Sequence, residues 1–234
     1  MKPDGAKVLV TGGASGIGEP VGELFLREGA DVIVFDREEP EYEARHFEVD
    51  VRREEEVAEA FGEIDRLDTL VNNTGVYRRT PIEEFNSDVF DEIFETNLKG
   101  YRSNFTHALP MLRESSDGNV VNVSSGLAER PEPESDLYSA SKAAANAMKT
   151  SWANSYAETG VRANAVLPGP VRTEMLTETF TDDALEDYRG KQPERRFVEP
   201  DEVAEAVLAL ASNEAYNGAE LEVGGEAHNN RYGL

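Results

Sequence analysis

Cysteine is absent from the 234 residues of this chain, which excludes a disulfide scaffold and thiolate metal sites. Histidine is sparse: His46, His107 and His228 are scattered without ligand spacing, so no metal site is expected. No apolar run approaches the length that crosses a bilayer, and no leader-like segment opens the chain, so a soluble, cytoplasmic protein without a membrane partner is expected. No long Gly/Ser- or Pro-rich stretch divides the sequence, and one domain spanning residues 1–234 is expected. Lysine is the last scarcity, with six residues against seventeen arginines.

Acid is abundant instead. Forty-seven Asp and Glu against 23 Lys and Arg give a formal net charge of −24. A nucleic-acid partner calls for the opposite sign, and no basic stripe is visible. Clusters such as "DREEPEYE" and "RREEEVAEA" read as solvated surface whose self-repulsion concentrated salt would screen. This lysine-poor, acid-rich surface resembles that of proteins from salt-loving archaea, which implies a high-salt cytoplasm.

Short β-branched runs alternate with longer amphipathic segments. "AKVLVTG", "DVIVFD", "RHFEVDV", "LDTLVNNTG", "GNVVNVSS", "VRANAVLPG" and "AELEV" read as strands. Helical patterns cover Gly16 to Glu28, "EEEVAEAFGEI", Ser87 to Arg113, Leu137 to Thr159 and "PDEVAEAVLALAS". The stretch between Met175 and Arg196 reads as charged and irregular. The strands are apolar throughout, which points to a doubly wound parallel sheet of about seven strands with helices on both faces. One connection is too short for a crossover helix: nine residues, Pro40 among them, separate Asp36 from His46, and a loop or single turn is expected.

"VLVTGGASGIG" sets Gly12, Gly16 and Gly18 between the first strand and the first helix. Glycine there lets the backbone turn sharply and lets a pyrophosphate approach the helix N-terminus. Asp36 ends the second strand, 18 positions after Gly18. A carboxylate in that place accepts hydrogen bonds from ribose hydroxyls and repels a 2′-phosphate. Arg37, next in line, is suited to a 2′-phosphate, so NAD is the favoured cofactor and NADP the second reading.

"TGGASGIG", "NNTG" at 72–75, Asn97 in "ETNLKG", "VNVSS" at 121–125, "YSASK" at 138–142 and "LPGPVRTEM" at 167–175 together resemble the classical short-chain dehydrogenase/reductase family. The resemblance runs from the first strand to "EVGG" at 222–225, nearly the whole chain. It implies a Rossmann-like fold and an oxidoreductase. It also implies cofactor contacts from Gly12, Ser15, Gly16, Ile17 and Gly18, and from Asp36 with Arg37. Asp50 and Val51 match the family's adenine-contacting pair, and Asn72, Asn73 and Gly75 its support for the adenosine half and the central strand. Pro168, Gly169, Val171 and Thr173 match the segment that orients the nicotinamide carboxamide. Thr74 replaces the usual alanine of Asn-Asn-Ala-Gly.

Hydride transfer between an alcohol and a nicotinamide needs a proton moved at the substrate oxygen. A free tyrosine, with a pKa of about 10, is a poor base at neutral pH. Lys142 follows Tyr138 by one helical turn, so the two can share a face, and its ammonium would favour the phenolate. Tyr138 is therefore the candidate proton-transfer residue, and both it and Lys142 are expected to contact the cofactor. By resemblance Ser125, chosen over Ser124 for its interval to Tyr138, holds the substrate oxygen. By resemblance, too, Asn97 disturbs its helix and holds a water that relays the proton through Lys142.

The family's pocket is lined by the segments matching Gly126 to Asp136, the surroundings of Tyr77, and Met175 to Arg196. The last of these reads as too polar for a steroid or long acyl chain. Arg78, Arg79, Glu129 and Arg130 could meet a polyol or carboxylate, but surface exposure is the favoured reading. A small polar secondary alcohol or ketone, of sugar or polyol type, is the expected substrate. A 3-oxoacyl thioester reductase and a non-catalytic NAD-binding regulatory module are the alternatives. Family members commonly form homo-tetramers, so a tetramer is expected first and a dimer next.

Overall fold

A computed structural model describes residues 3–84 and 86–224. Gly225 of the "EVGG" stretch and His228 lie outside the described residues. Seven strands form one sheet: β1 (Lys7–Thr11), β2 (Asp31–Asp36), β3 (Arg45–Glu48), β4 (Thr69–Asn72), β5 (Asn119–Val123), β6 (Arg162–Pro168) and β7 (Glu220–Val223). Every pairing is parallel and the order is β3-β2-β1-β4-β5-β6-β7. The chain reverses its direction of travel across the sheet between β1 and β4, and open α/β sheets carry their ligand crevice at such a switch, outside the strands' C-terminal ends.

The apolar strands bury both faces, and their two-residue period divides the core. Val8 and Val10 join Val32, Val34, Val71 and Val121 on one face. There α1 (Gly18–Arg27) supplies Val21 and Phe25, and α8 (Pro200–Ser212) supplies Val203, Val207 and Leu210. Leu9, Ile33, Phe35 and Leu70 turn to the other face. They meet Val57 and Phe61 of α2 (Glu54–Gly62), Phe105 and Leu112 of α4 (Tyr101–Glu114), and Trp152 of α5 (Asp136–Ser155). Gly160 closes the turn after α5 at φ +82°, a left-handed conformation that suits glycine.

Between β2 and β3 the chain makes bends only, as the short link requires. The span from Ser87 to Arg113 is helical throughout, as α3 (Ser87–Phe94) and α4 joined by a π-helical stretch, Glu95–Gly100, that contains Asn97. One expectation is corrected: the charged stretch after β6 is not irregular but forms α6 (Glu174–Thr179) and α7 (Asp182–Lys191). Its polar residues mask a thin apolar face that includes Met175, Leu176 and Tyr188.

Candidate active site

The glycine loop is shaped by close approach. Gly12 and Gly16 hold φ values of +65° and +61°. A Cβ on Gly18 would stand 1.9 Å from the Gly12 carbonyl oxygen, so no side chain fits there. The Asn73 amide donates to the carbonyls of Thr11 and Gly12, at 3.1 and 2.8 Å, and fastens the loop to the end of β4. No side chain caps α1, whose first turn opens beside the loop. The uncapped N-terminus and the cradle left by missing Cβ atoms fit a pyrophosphate.

Asp36 reaches back to this loop. One carboxylate oxygen accepts from Ala14 N at 3.0 Å and the other from Glu38 N at 3.2 Å, leaving further acceptor capacity on both. Tyr42 donates its hydroxyl to Gly13 O at 3.0 Å and fills the space above Gly22. Burial, reinforced by Glu19, Glu23 and Asp36, pushes its phenol up and keeps it a donor. Asp50 is engaged by Arg52, whose hydrogen bonds hold the carboxyl below the usual carboxylate range. Val51 packs beneath Gly100 at the end of the π-helical stretch. Asn72 is fully buried and bonded to Asn122 and Asn104, so it supports the central strands and does not face the cleft.

The catalytic candidates converge on the end of β5. Lys142 is 3% exposed and threads inward from α5. Its ammonium donates to Val123 O at 2.9 Å and to the Tyr101 hydroxyl at 3.1 Å, and lies 5.8 Å from the centre of the Tyr138 ring. Burial lowers its pKa from 10.5 to about 7. Asn97 is fully buried: its Oδ1 accepts from Val76 N at 2.8 Å, and its Nδ2 donates to Val76 O and to the Ser141 hydroxyl. A Cβ on Gly75 would stand 3.4 Å from both Asn97 Oδ1 and Lys142 Nζ, so this glycine lets the two groups share one corner.

Ser124 and Ser125 both line the cleft, and their partners separate them. The Ser124 hydroxyl points at Lys142 O, 3.5 Å away. The Ser125 oxygen accepts from Leu127 N at 3.1 Å, which leaves its own proton to donate. Tyr138 lines the same cleft, with the Tyr77 ring edge-on at 4.9 Å. Ile17, Pro168, Gly169, Val171 and Thr173 also line this cleft. Gly16 lies near Thr173, since a Cβ on it would lie 3.8 Å from the Thr173 methyl.

The outer wall departs from expectation. Leu127, Met175, Leu176, Phe180 and Tyr188 line it, so the polar-looking segment presents its apolar residues to the cleft. Arg78, Arg79, Glu129 and Arg130 do not line it. Arg78 pairs with Glu92, Arg79 with Glu134, and Arg130 with Glu129 and Glu222. Sequence reasoning missed Tyr101 and Ser141, the partners of Lys142 and Asn97. Their one signal was spacing: Tyr101 follows Asn97 by four positions, and Ser141 follows Tyr138 by three.

No group of His, Asp and Glu among the described residues could hold a metal ion, and no described helix is long and apolar enough to cross a membrane. A family model described as Enoyl-(Acyl carrier protein) reductase matches residues 12–225. L-fucose dehydrogenase of Bos taurus is 36% identical over 243 residues, covering 95% of this chain and 89% of its own. The ligand-free aldohexose dehydrogenase of Thermoplasma acidophilum matches with a TM-score of 0.88 at 29% identity, over 94% of this chain and 93% of that one. The 3-ketoacyl-(acyl-carrier-protein) reductase of Brucella melitensis complexed with NADH matches at 0.87 and 27% identity, over 96% and 99%.

Proposed function

The chain belongs to the short-chain dehydrogenase/reductase family and is an oxidoreductase of CH–OH groups, and from that premise we propose that it moves a hydride between NAD and a small polar secondary alcohol. The observation that carries this reading is the meeting of Ser125 and Tyr138 in one cleft, with a buried Lys142 behind the tyrosine ring. Bound nicotinamide supplies the hydride acceptor. Ser125 donates to the substrate oxygen and steadies its developing charge. Tyr138 takes the alcohol proton, and Lys142 favours the phenolate that can accept it. Asn97 fixes the strand-end backbone at Val76 beside them.

NAD is preferred to NADP because Asp36 presents an anion where a 2′-phosphate would sit, anchored by Ala14 N and Glu38 N and unpaired with any basic side chain among the described residues. A sugar or polyol substrate is supported by likeness to L-fucose dehydrogenase and aldohexose dehydrogenase. The apolar outer wall favours a second reading, a 3-oxoacyl thioester. The charge of −24 supports a high-salt cytoplasm as the working place. Half-exposed Ala143 and Ala144 and exposed Ala147 on α5 support close packing against a second copy, within a homo-tetramer. Turnover with NAD and NADP, over aldoses, polyols and 3-hydroxyacyl thioesters, at molar salt and in dilute buffer, tests these points. The expected result is an NAD rate on a polyol or aldose at least about 10-fold above the NADP rate, worth one ribose-phosphate repulsion of about 1.4 kcal/mol, and lost in dilute buffer. Faster turnover with NADP, or undiminished activity without salt, contradicts the respective point. Light scattering on the same preparation tests the tetramer, and a monomer contradicts it.

A further inference from the structure

Among the described residues that line the cleft, Glu132 is the one charged side chain, and it is exposed. The cleft is otherwise lined mostly by rings and aliphatic groups, Tyr77, Tyr138, Phe180, Tyr188 and Leu127 among them, and Tyr77 feels the Glu132 charge. Its carboxylate takes no hydrogen bond or ion pair from any described residue, although Glu129 and Glu134 on the same loop each have an arginine. An acid left unpartnered at the edge of an apolar wall has acceptor capacity that only solvent or a ligand can fill.

The loop that carries it is fixed in place. Glu132 N donates to the hydroxyl of fully buried Ser135, which donates in turn to Glu132 O at 2.7 Å. Two residues on, Glu134 holds φ at +64°, accepts Thr80 N on its carbonyl and pairs with Arg79 on its carboxylate. Arg79 also lies over the Phe180 ring, 5.3 Å from its centre, so one side chain ties the three segments around the mouth together. Burial first, then Glu132 and Glu134 against the opposing pull of Arg79, push the Tyr77 phenol up, which keeps Tyr77 neutral beside the carboxylate.

We propose that Glu132 is a specificity-determining residue whose carboxylate accepts hydrogen bonds from non-reacting hydroxyls of a neutral cyclic polyol or aldose, while Tyr77, Phe180 and Tyr188 cover the ring's apolar face. The proposal rests on the oxidoreductase reading and names the substrate class of that site. A cationic amino alcohol would meet Lys142 behind Tyr138 and Arg79 over one face of Phe180, so a neutral ring fits better. An anionic hydroxy acid meets repulsion from Glu132. Glu132 is exposed, so a substrate hydroxyl takes the place of water on its carboxylate, and a hydrogen bond to a charged acceptor is the stronger kind.

The test uses matched rings: cyclohexanol, cis-1,2-cyclohexanediol and cis-2-hydroxycyclohexanecarboxylate, each with NAD, on the wild-type enzyme, Glu132→Gln and Glu132→Ala. The wild type favours the diol over cyclohexanol in kcat/KM by at least about 10-fold, the scale of one hydrogen bond to a charged acceptor. Glu132→Ala removes that preference through KM, with kcat and the cyclohexanol constants unchanged, and Glu132→Gln retains part of it. Both variants gain activity on the hydroxy acid. An unchanged diol preference in Glu132→Ala, or equal losses on diol and cyclohexanol, overturns the role of Glu132 while leaving the enzyme reading intact. If no alcohol turns over although NAD binds, as read by calorimetry, the enzyme reading falls and the specificity role falls with it.

Discussion

Replacing Tyr138 with Phe is expected to leave the fold and NAD affinity in place and to lower kcat by about 10²- to 10⁴-fold, the range that a positioned proton-transfer group contributes. The substitution deletes one oxygen and keeps the ring that packs edge-on against Tyr77 at 4.9 Å. The Tyr77 phenol in the same cleft is pushed up by burial, which makes it a poor replacement for that oxygen. Ser125 lines the same space, yet a hydroxyl with no base beside it is a poor proton acceptor, and the nearest ammonium, on Lys142, is committed to Val123 O and Tyr101. Single-turnover kinetics with NAD, beside calorimetric binding of NAD, separate the two effects. A variant that turns over at the wild-type rate removes Tyr138 from the chemistry.

Lys142→Met should produce an enzyme that is inactive and more stable. The displacement of the lysine pKa from 10.5 to about 7 by burial corresponds to about 5 kcal/mol as an upper bound. Against that stand two hydrogen bonds from the ammonium, to Val123 O and Tyr101, each contributing about 1–1.5 kcal/mol. Tyr101 continues to donate to Val123 O at 2.8 Å when the lysine is gone, so that carbonyl is not orphaned. An unbranched methionine follows the same channel. A net gain of about 2 kcal/mol in the cofactor-free protein is expected at pH 7.

The gain should depend on pH in a definite direction. Below pH 7 the lysine is protonated in both native and unfolded chains, and the wild type carries the full deficit. Between pH 7 and 10.5 the native chain binds fewer protons than the unfolded one, so wild-type stability rises with pH and the advantage of Lys142→Met shrinks. Denaturant unfolding of both proteins at pH 7 and at pH 9.5, in molar salt, measures this. An advantage that grows with pH contradicts the burial of a reluctantly charged lysine.

The central strands were legible because a parallel sheet covered on both faces buries their residues on either side. "VLVT" and "VIVF" read as mainly apolar runs, "NVVNV" as one carrying two asparagines, and each became a strand. The edge strands β3 and β7, by contrast, keep exposed residues. The helices over the sheet were legible where a wide apolar stripe meets the core, as in α8. They were not legible in α6 and α7, which lie over the cleft mouth and turn only Met175, Leu176, Phe180 and Tyr188 inward. Hydrophobic periodicity needs more than a few buried positions per helix, so those two helices read as charged coil. The π-helical stretch had a different obstacle. It shifts register by one residue without changing composition, and only the awkward presence of Asn97 in a helix hinted at it.

The candidate site divides in the same way. Motif residues came from spacing and resemblance, and the structure brings Ser125, Tyr138, Pro168 and Thr173 to one cleft as that reading implies. Spacing gave a shared face for Tyr138 and Lys142. It gave no hint that the lysine would be almost wholly buried, with its ammonium on Tyr101 and a strand-end carbonyl, because those partners lie 41 and 19 positions away. Glu132 was one acid among forty-seven, and only its place in the lining of the same cleft as Tyr138 sets it apart.

The central claim is that the cleft between β5, α5 and the glycine loop moves a hydride from a secondary alcohol to a nicotinamide. The measurement that tests it most directly is isotope transfer: cis-1,2-cyclohexanediol or an aldose, deuterated at the reacting carbon, incubated with NAD and the enzyme in molar salt. The account predicts that deuterium appears at C4 of the nicotinamide, one per oxidised alcohol, and that Tyr138→Phe slows its appearance while leaving NAD bound. Oxidation with the deuterium released to water, or NAD bound with no transfer across the substrate panel, would contradict it.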